Sequence, residues 1–315
     1  MDAFTGRRSV TIGLFVAIAQ TVALGVAAVM TGSAAMKTQT ATNLADVAVS
    51  VFLLIGVVSS DRSPDDSHPL GYGRERFFWS FIAAVGIFLG GVGAAAAETL
   101  QMVFHPHTTG SYLVGYVVLA IVVCLDAVAL AGSLGPLRRR AAERHLPLSR
   151  LLWRGTDPAV TTLVLSSTAG LAGGIVAALG LAGREITGSA TIDAAASAVI
   201  GLILLATSVV LLHTNRELLT GRAIAQPEVV RMRTLVGAQP GVVAVPDLFA
   251  MVVGPAIVIV DADVIFEDGL TVPQVEQIIV DAAAALRTRW STVAYVYLNP
   301  VAEHRPRRLR SEQRH

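Results

Sequence analysis

Six stretches of the chain are about twenty residues long and almost wholly apolar, at roughly 9–31, 39–59, 78–103, 112–134, 159–181 and 190–213. Runs of that length do not suit a water-soluble core. They suit a bilayer, where backbone N–H and C=O groups find no solvent partner and must be satisfied within a helix or a closed barrel. The chain as a whole reflects this, since 53% of its 315 residues are hydrophobic and only 15% are charged. Arg7 and Arg8 precede the first run in the manner of a signal peptide, but the run is too long and five more follow it, so it is expected to stay in the mature protein. The single cysteine, Cys124, lies inside the fourth run. An intramolecular disulfide framework and a cysteine-rich metal site within one chain are thereby excluded.

The net charge of +1 says little, but its distribution is informative. Basic residues cluster before the first run (Arg7, Arg8), between the second and third (Arg62, Arg74, Arg76), between the fourth and fifth (Arg138 to Arg154) and after the sixth (Arg216, Arg222). Only Lys37 and Arg184 occupy the opposite side. Cytoplasmic loops retain Lys and Arg, so both termini and the two longer loops are expected inside a bacterial plasma membrane. After residue 222 the pattern changes to helix, two β-rich runs, an amphipathic helix and a closing strand, an α-β-β-α-β module expected over 223–300. In its second run Val258, Val260, Ala262, Val264 and Phe266 share one face by parity, and Asp261 and Asp263 share the other. The tail over 301–315 is basic, with Arg305, Arg307, Arg308 and Arg310, and is expected to be disordered.

The loop from Asp65 to Trp79, DDSHPLGYGRERFFW, resembles the acidic-His-Pro-x-Gly-Tyr-Gly-basic-Glu signature of the cation diffusion facilitator family, zinc-transporter-9-like subgroup. Further agreement comes from Asn43-Leu44-Ala45-Asp46, Thr156-Asp157-Pro158, Asp193 with Ser197, and Asn215-Arg216-Glu217-Leu218-Leu219. In the soluble module it comes from Pro246-Asp247-Leu248 and the segment Asp261 to Gly269. The resemblance implies a homodimeric, non-enzymatic exporter of a divalent metal (zinc, manganese, iron or cobalt) in exchange for protons, with ferredoxin-like C-terminal domains (αββαβ) that pair in the cytoplasm. The metal is then cargo rather than a prosthetic group. No nucleotide or nucleic-acid partner is expected, and no G-x-x-x-x-G-K-[ST] loop for ATP-driven pumping occurs.

An ionisable residue within a span is a functional candidate, because it costs several kcal/mol unless it faces protein, water or an ion. Asp46 meets that description about two turns into the second span, with Thr42 and Asn43 able to share its helix face. The bland alternative is an Asp satisfied by neighbouring hydroxyls. The family's four-coordinate site takes a His or Asp four residues before this Asp and a His-x-x-x-Asp pair on the fifth helix. Here Thr42 stands at the first position, and Leu163 and Ser167 at the pair, with Ser166 beside them. One carboxylate of that set remains, a weak zinc site, and oxygen donors suit manganese or magnesium better. Asp126 of the fourth span is a further candidate, either leaning into the same cavity or bonding a neighbouring helix. Asp193 and Ser197 are expected to cap and pack the sixth helix rather than steer cations at the exit, and Glu98 to reach toward water.

In the cytoplasmic loop Asp65, His68 and Tyr72 occupy positions where relatives bind a second metal. Asp65, Asp66 and His68 either catch a loosely held ion or form a solvated loop paired with Arg74 or Arg76. The soluble module has no His between Ile224 and Val301, so it is expected to dimerise without metal. Two other functions stay open: a non-transporting membrane scaffold or partner subunit with a degenerate site, and a carrier of another small solute such as a monovalent cation.

Overall fold

The computed structural model describes residues 3–104, 112–143, 158–255 and 257–302. The chain divides into two compact units, Met1–Leu219 and Thr220–His315. Of the tail expected to be disordered, all but its first two residues lies outside the described residues, as does the whole segment from Arg144 to Arg154.

The first unit is helical: α1 (Ala3–Thr31), α2 (Ala34–Ser60), α3 (Glu75–Phe104), α4 (Tyr112–Glu143), α5 (Pro158–Thr187) and α6 (Ala190–Leu219). Five of these helices, α2 to α6, contain stretches long and apolar enough to cross a membrane, and α1 contributes an apolar stretch over Ala17–Thr31. Their outward faces are apolar as well. Val29 is 85% exposed, and Phe104, Leu113, Val128 and Leu179 are also exposed, a surface that water would penalise and lipid accepts. The inward faces interlock through Leu24, Met36, Leu119, Leu181, Ile200 and Leu211.

The expected start of the second span at about residue 39 falls inside α2, which begins at Ala34. The reason is that its polar first turns are satisfied within the protein. Thr38 bonds the Ser197 hydroxyl at 2.6 Å, and Gln39 Nε2 donates to the Gly170 carbonyl at 3.3 Å. Gly32, at φ 65°, lets α1 turn directly into α2, and its N–H closes α1 on the Ala28 carbonyl. Within α3, Ile87–Val92 widens to a π-turn, a local insertion often found beside functional sites, and its Gly90 faces Ala45 of α2.

Small residues bring α5 and α6 together, as in other membrane bundles. A Cβ on Gly180 would lie 2.4 Å from the Ala196 Cβ, and neither group can swing aside. Gly180→Ala is therefore expected to separate α5 from α6 and cost about 1–3 kcal/mol. Ala196→Gly in the same chain should restore most of the loss. Melting of the purified variants in detergent checks this, and purely additive losses would show that the contact is not limiting.

The second unit runs α7 (Gln226–Gly237), β1 (Val242–Gly254), β2 (Ile257–Phe266), α8 (Val272–Arg289) and β3 (Val293–Pro300). Its sheet has the order β1-β2-β3, with β1 and β2 antiparallel and β2 and β3 parallel, the latter joined through α8. Parity governs β2 except at Ile259, which is buried on the face that carries Asp261. Val258, Val260, Ala262 and Val264 are buried against Val229, Met232 and Leu286, while Asp261 sits on the other face between Phe249 and Tyr297. Thr271 and Gln274 form a capping box that starts α8.

Candidate cation site

Helix α2 carries Asp46, half-buried, and α4 carries Asp126 on the buried stripe that also holds Leu119 and Val122. The two carboxylates meet at α5. A Cβ on Gly170 would lie 3.3 Å from Asp126 Oδ2, a tight contact, and 3.9 Å from Asp46 Oδ2, an ordinary one, so the absent side chain gives Asp126 room beside the α5 backbone while both oxygens lie near the same glycine. Asp126 Oδ1 accepts a hydrogen bond from Gln20 Nε2 of α1 at 2.9 Å, whereas its Oδ2 is buried with no hydrogen-bond partner among the described residues. Two carboxylates that converge on one glycine repel each other when both are ionised, and a cation between them turns that repulsion into attraction.

The other expected residues are placed less directly. The Thr42 hydroxyl donates to the Thr38 carbonyl at 2.9 Å, and Asn43 Nδ2 to the Gln39 carbonyl at 3.1 Å, so both donors turn back along α2. Their oxygen lone pairs are not used by those bonds. Ser167, half-buried, stands one turn before Gly170 on α5, and Ser166 donates to the Leu163 carbonyl at 3.4 Å. Leu163 is 43% exposed. No group of three or more His, Cys, Asp or Glu side chains able to hold a metal is found among the described residues. Gln20 was missed in the sequence. The signal was a lone amide within the first apolar run, the same kind of intramembrane polar residue that singled out Asp46.

At the other end of the helices, Asp193 closes a buried clasp. Its carboxylate accepts from Ser33 Oγ at 2.7 Å, from Ala34 N at 2.8 Å, from Ala35 N at 3.1 Å and from Arg184 Nη1 at 2.9 Å. The expectation that Asp193 caps its own helix is thus corrected: the carboxylate caps α2, because the first-turn N–H groups of α2 have no intrahelical partner and the hairpin between α5 and α6 presents an anion to them. Ser197 bridges Thr38 and Thr99. Glu98 pairs with Lys37 at 3.5 Å, both side chains partly exposed.

The loop before α3 is organised around Asp65. Its Oδ1 accepts from Ser67 N, Ser67 Oγ and His68 N at 2.7 to 3.0 Å, and its Oδ2 from the Tyr72 hydroxyl at 2.8 Å. His68 stacks obliquely on Tyr72 with ring centroids 4.0 Å apart, and its Nδ1 lies 3.8 Å from Asp65 Oδ1. The Ser67 hydroxyl foremost, then the Tyr72 hydroxyl and the His68 N–H, hold the Asp65 pKa at about 2, below the ordinary 3.8. Because the folded value is the lower one, this stabilisation of the turn is complete above the ordinary value and is lost as pH falls from 3.8 to about 2. Tyr72→Phe removes one donor and should raise the Asp65 midpoint. A carboxyl NMR titration measures it, and an unmoved midpoint would mean that the phenol contributes nothing. In the C-terminal unit, Asp261 Oδ1 accepts from Asn299 Nδ2 at 2.7 Å.

The family model for the cation efflux transmembrane domain matches residues 10–220, which include Gln20, Asp46, Asp126, Gly170 and the Asp65 turn. The chain is 31% identical over 239 residues to proteins of Mus musculus and Homo sapiens named proton-coupled zinc antiporter SLC30A9, mitochondrial; the match covers 76% of this chain and 42% of each relative. It is 30% identical over 213 residues to metal tolerance protein C4 of Arabidopsis thaliana, covering 68% of this chain and 47% of that protein. The chain thus spans less than half the length of these curated relatives. The mammalian relatives are mitochondrial by name, which lends no support to the expected bacterial plasma membrane. The apolar helices and the family match together make the chain a multi-pass membrane protein. It belongs to the cation diffusion facilitator, or cation efflux, family and is like the zinc-transporter-9 proteins within it.

Proposed function

We propose that this chain is a proton-coupled efflux transporter of a divalent metal cation, and that the cation passes between Asp46 and Asp126. The observation that carries the reading is the convergence of these two carboxylates on Gly170, at an intramembrane position where an ionisable pair is costly without a function. Thr42, Asn43 and Ser167 supply oxygen donors nearby. Oxygen donors without His or Cys favour manganese over zinc on chemical grounds, although the relatives are named for zinc. Asp65 and His68 belong to a loop that shapes the entrance and hold a metal there only loosely, because hydrogen bonds already occupy most of the Asp65 lone pairs. The same reading has six spans with both termini cytoplasmic, a membrane domain over 1–222, and a ferredoxin-like domain over 223–300 that pairs two chains without metal.

A second reading, a non-transporting scaffold, is favoured by one observation: no three-ligand group of His, Cys, Asp or Glu occurs among the described residues. Proteoliposomes holding the purified protein and a metal-sensitive dye separate the two. Flux of zinc, manganese(II), iron(II) or cobalt that acidifies the opposite compartment supports transport. No flux of any of these ions under a proton gradient of either direction would support the scaffold.

A further inference from the structure

We propose that Gln20 is a positioning residue for the cation: it fixes Asp126 so that the carboxylate's one unbonded oxygen faces Asp46. The inference rests on the transport reading above.

Gln20 lies on the inward stripe of α1 with Leu24, Ala27, Ala28 and Thr31, and is only 7% exposed. A buried amide is costly unless hydrogen-bonded, and Gln20 Nε2 is bonded to Asp126 Oδ1 at 2.9 Å, across 106 residues of sequence. That bond decides which way the carboxylate turns. With Oδ1 held toward α1, Oδ2 is left toward Gly170 and Asp46, buried and without a hydrogen-bond partner among the described residues. A carboxylate on an unrestrained χ2 is free to rotate, because terminal sp³–sp² torsions have broad, shallow wells. Pinning one oxygen removes that freedom before the ion arrives, so the two acidic oxygens are oriented in advance and less ordering is needed when the ion binds. Helix α1, which supplies no acidic residue to the cluster, thereby contributes to cation affinity through Asp126.

The test compares Gln20→Met, Asp126→Asn, the double variant and Asp46→Asn in proteoliposomes, with manganese(II) and zinc each offered as the transported ion. Methionine keeps the length and burial of Gln20 but cannot donate. The expected result is an apparent KM raised roughly tenfold in Gln20→Met, the size of a lost hydrogen bond to a charged group, with the maximal rate little changed. In the Asp126→Asn background the same change should add nothing, because there is no carboxylate left to position. Gln20→Glu, a donor when protonated, should recover part of the affinity. A KM within twofold of the unmodified protein in Gln20→Met, while Asp126→Asn impairs transport, would overturn the role of Gln20 and leave the site reading intact. Additive effects of the two changes would overturn it too, since they assign Gln20 to packing alone. Unimpaired flux in both Asp46→Asn and Asp126→Asn, or no flux in the unmodified protein, would sink the site reading and this inference with it.

Discussion

Asp46→Asn is expected to give a folded protein that carries metal at least about 100-fold more slowly than the unmodified chain. The attraction between unit charges 4 Å apart is about 4 kcal/mol at an effective dielectric of 20, and a divalent ion doubles it. Even a part of that difference is worth two orders of magnitude in binding, at 1.4 kcal/mol for each tenfold. Asparagine keeps the shape of the side chain, and it relieves repulsion with Asp126, which converges on the same glycine. Thermal stability should therefore stay the same or rise while flux falls. Melting and pH-dependent metal flux measured in one preparation separate these effects. Normal flux in a stable Asp46→Asn protein would remove Asp46 from the transport path.

Asp193→Ala is expected to damage stability about as severely as Asp46→Asn damages transport. Asp193 is fully buried and Arg184 is 4% exposed, so their 2.9 Å ion pair is shielded from water. Removing one member of such a pair typically costs about 3–5 kcal/mol. The change also strands the Ser33 hydroxyl and the Ala34 and Ala35 N–H groups, which open α2. Asp193→Asn keeps the shape but not the charge, so it should fall between the alanine variant and the unmodified protein. Denaturation in detergent reads the effect. An Asp193→Ala protein as stable as the unmodified chain but slow in transport would place Asp193 among the residues that meet the cation.

Much of the fold is legible in the amino-acid sequence, and the reasons are local. A run of about twenty apolar residues has few alternatives to a helix in lipid, whichever neighbours it acquires. Alternation at period two in β2 predicts the core face of Val258, Val260, Ala262 and Val264, because side chains alternate along any strand, but not the burial of Ile259 on the other face. Helix ends are less legible. The polar start of α2 looks like loop in sequence, since nothing near it shows that Ser197, Gly170 and Asp193 will satisfy Thr38, Gln39 and the first N–H groups.

The candidate site divides in the same way. The sequence singles out Asp46 and Asp126 as charges within apolar runs, each read from its own surroundings, and the Asp65 loop through its resemblance to the family signature. Only the tertiary structure decided that Asp46 and Asp126 share Gly170, that Gln20 holds Asp126, and that Asp193 serves α2 and not its own helix. These pairings depend on which faces of the helices pack together and at what depth, and apolar spans with little difference between their faces leave both undetermined until the bundle assembles.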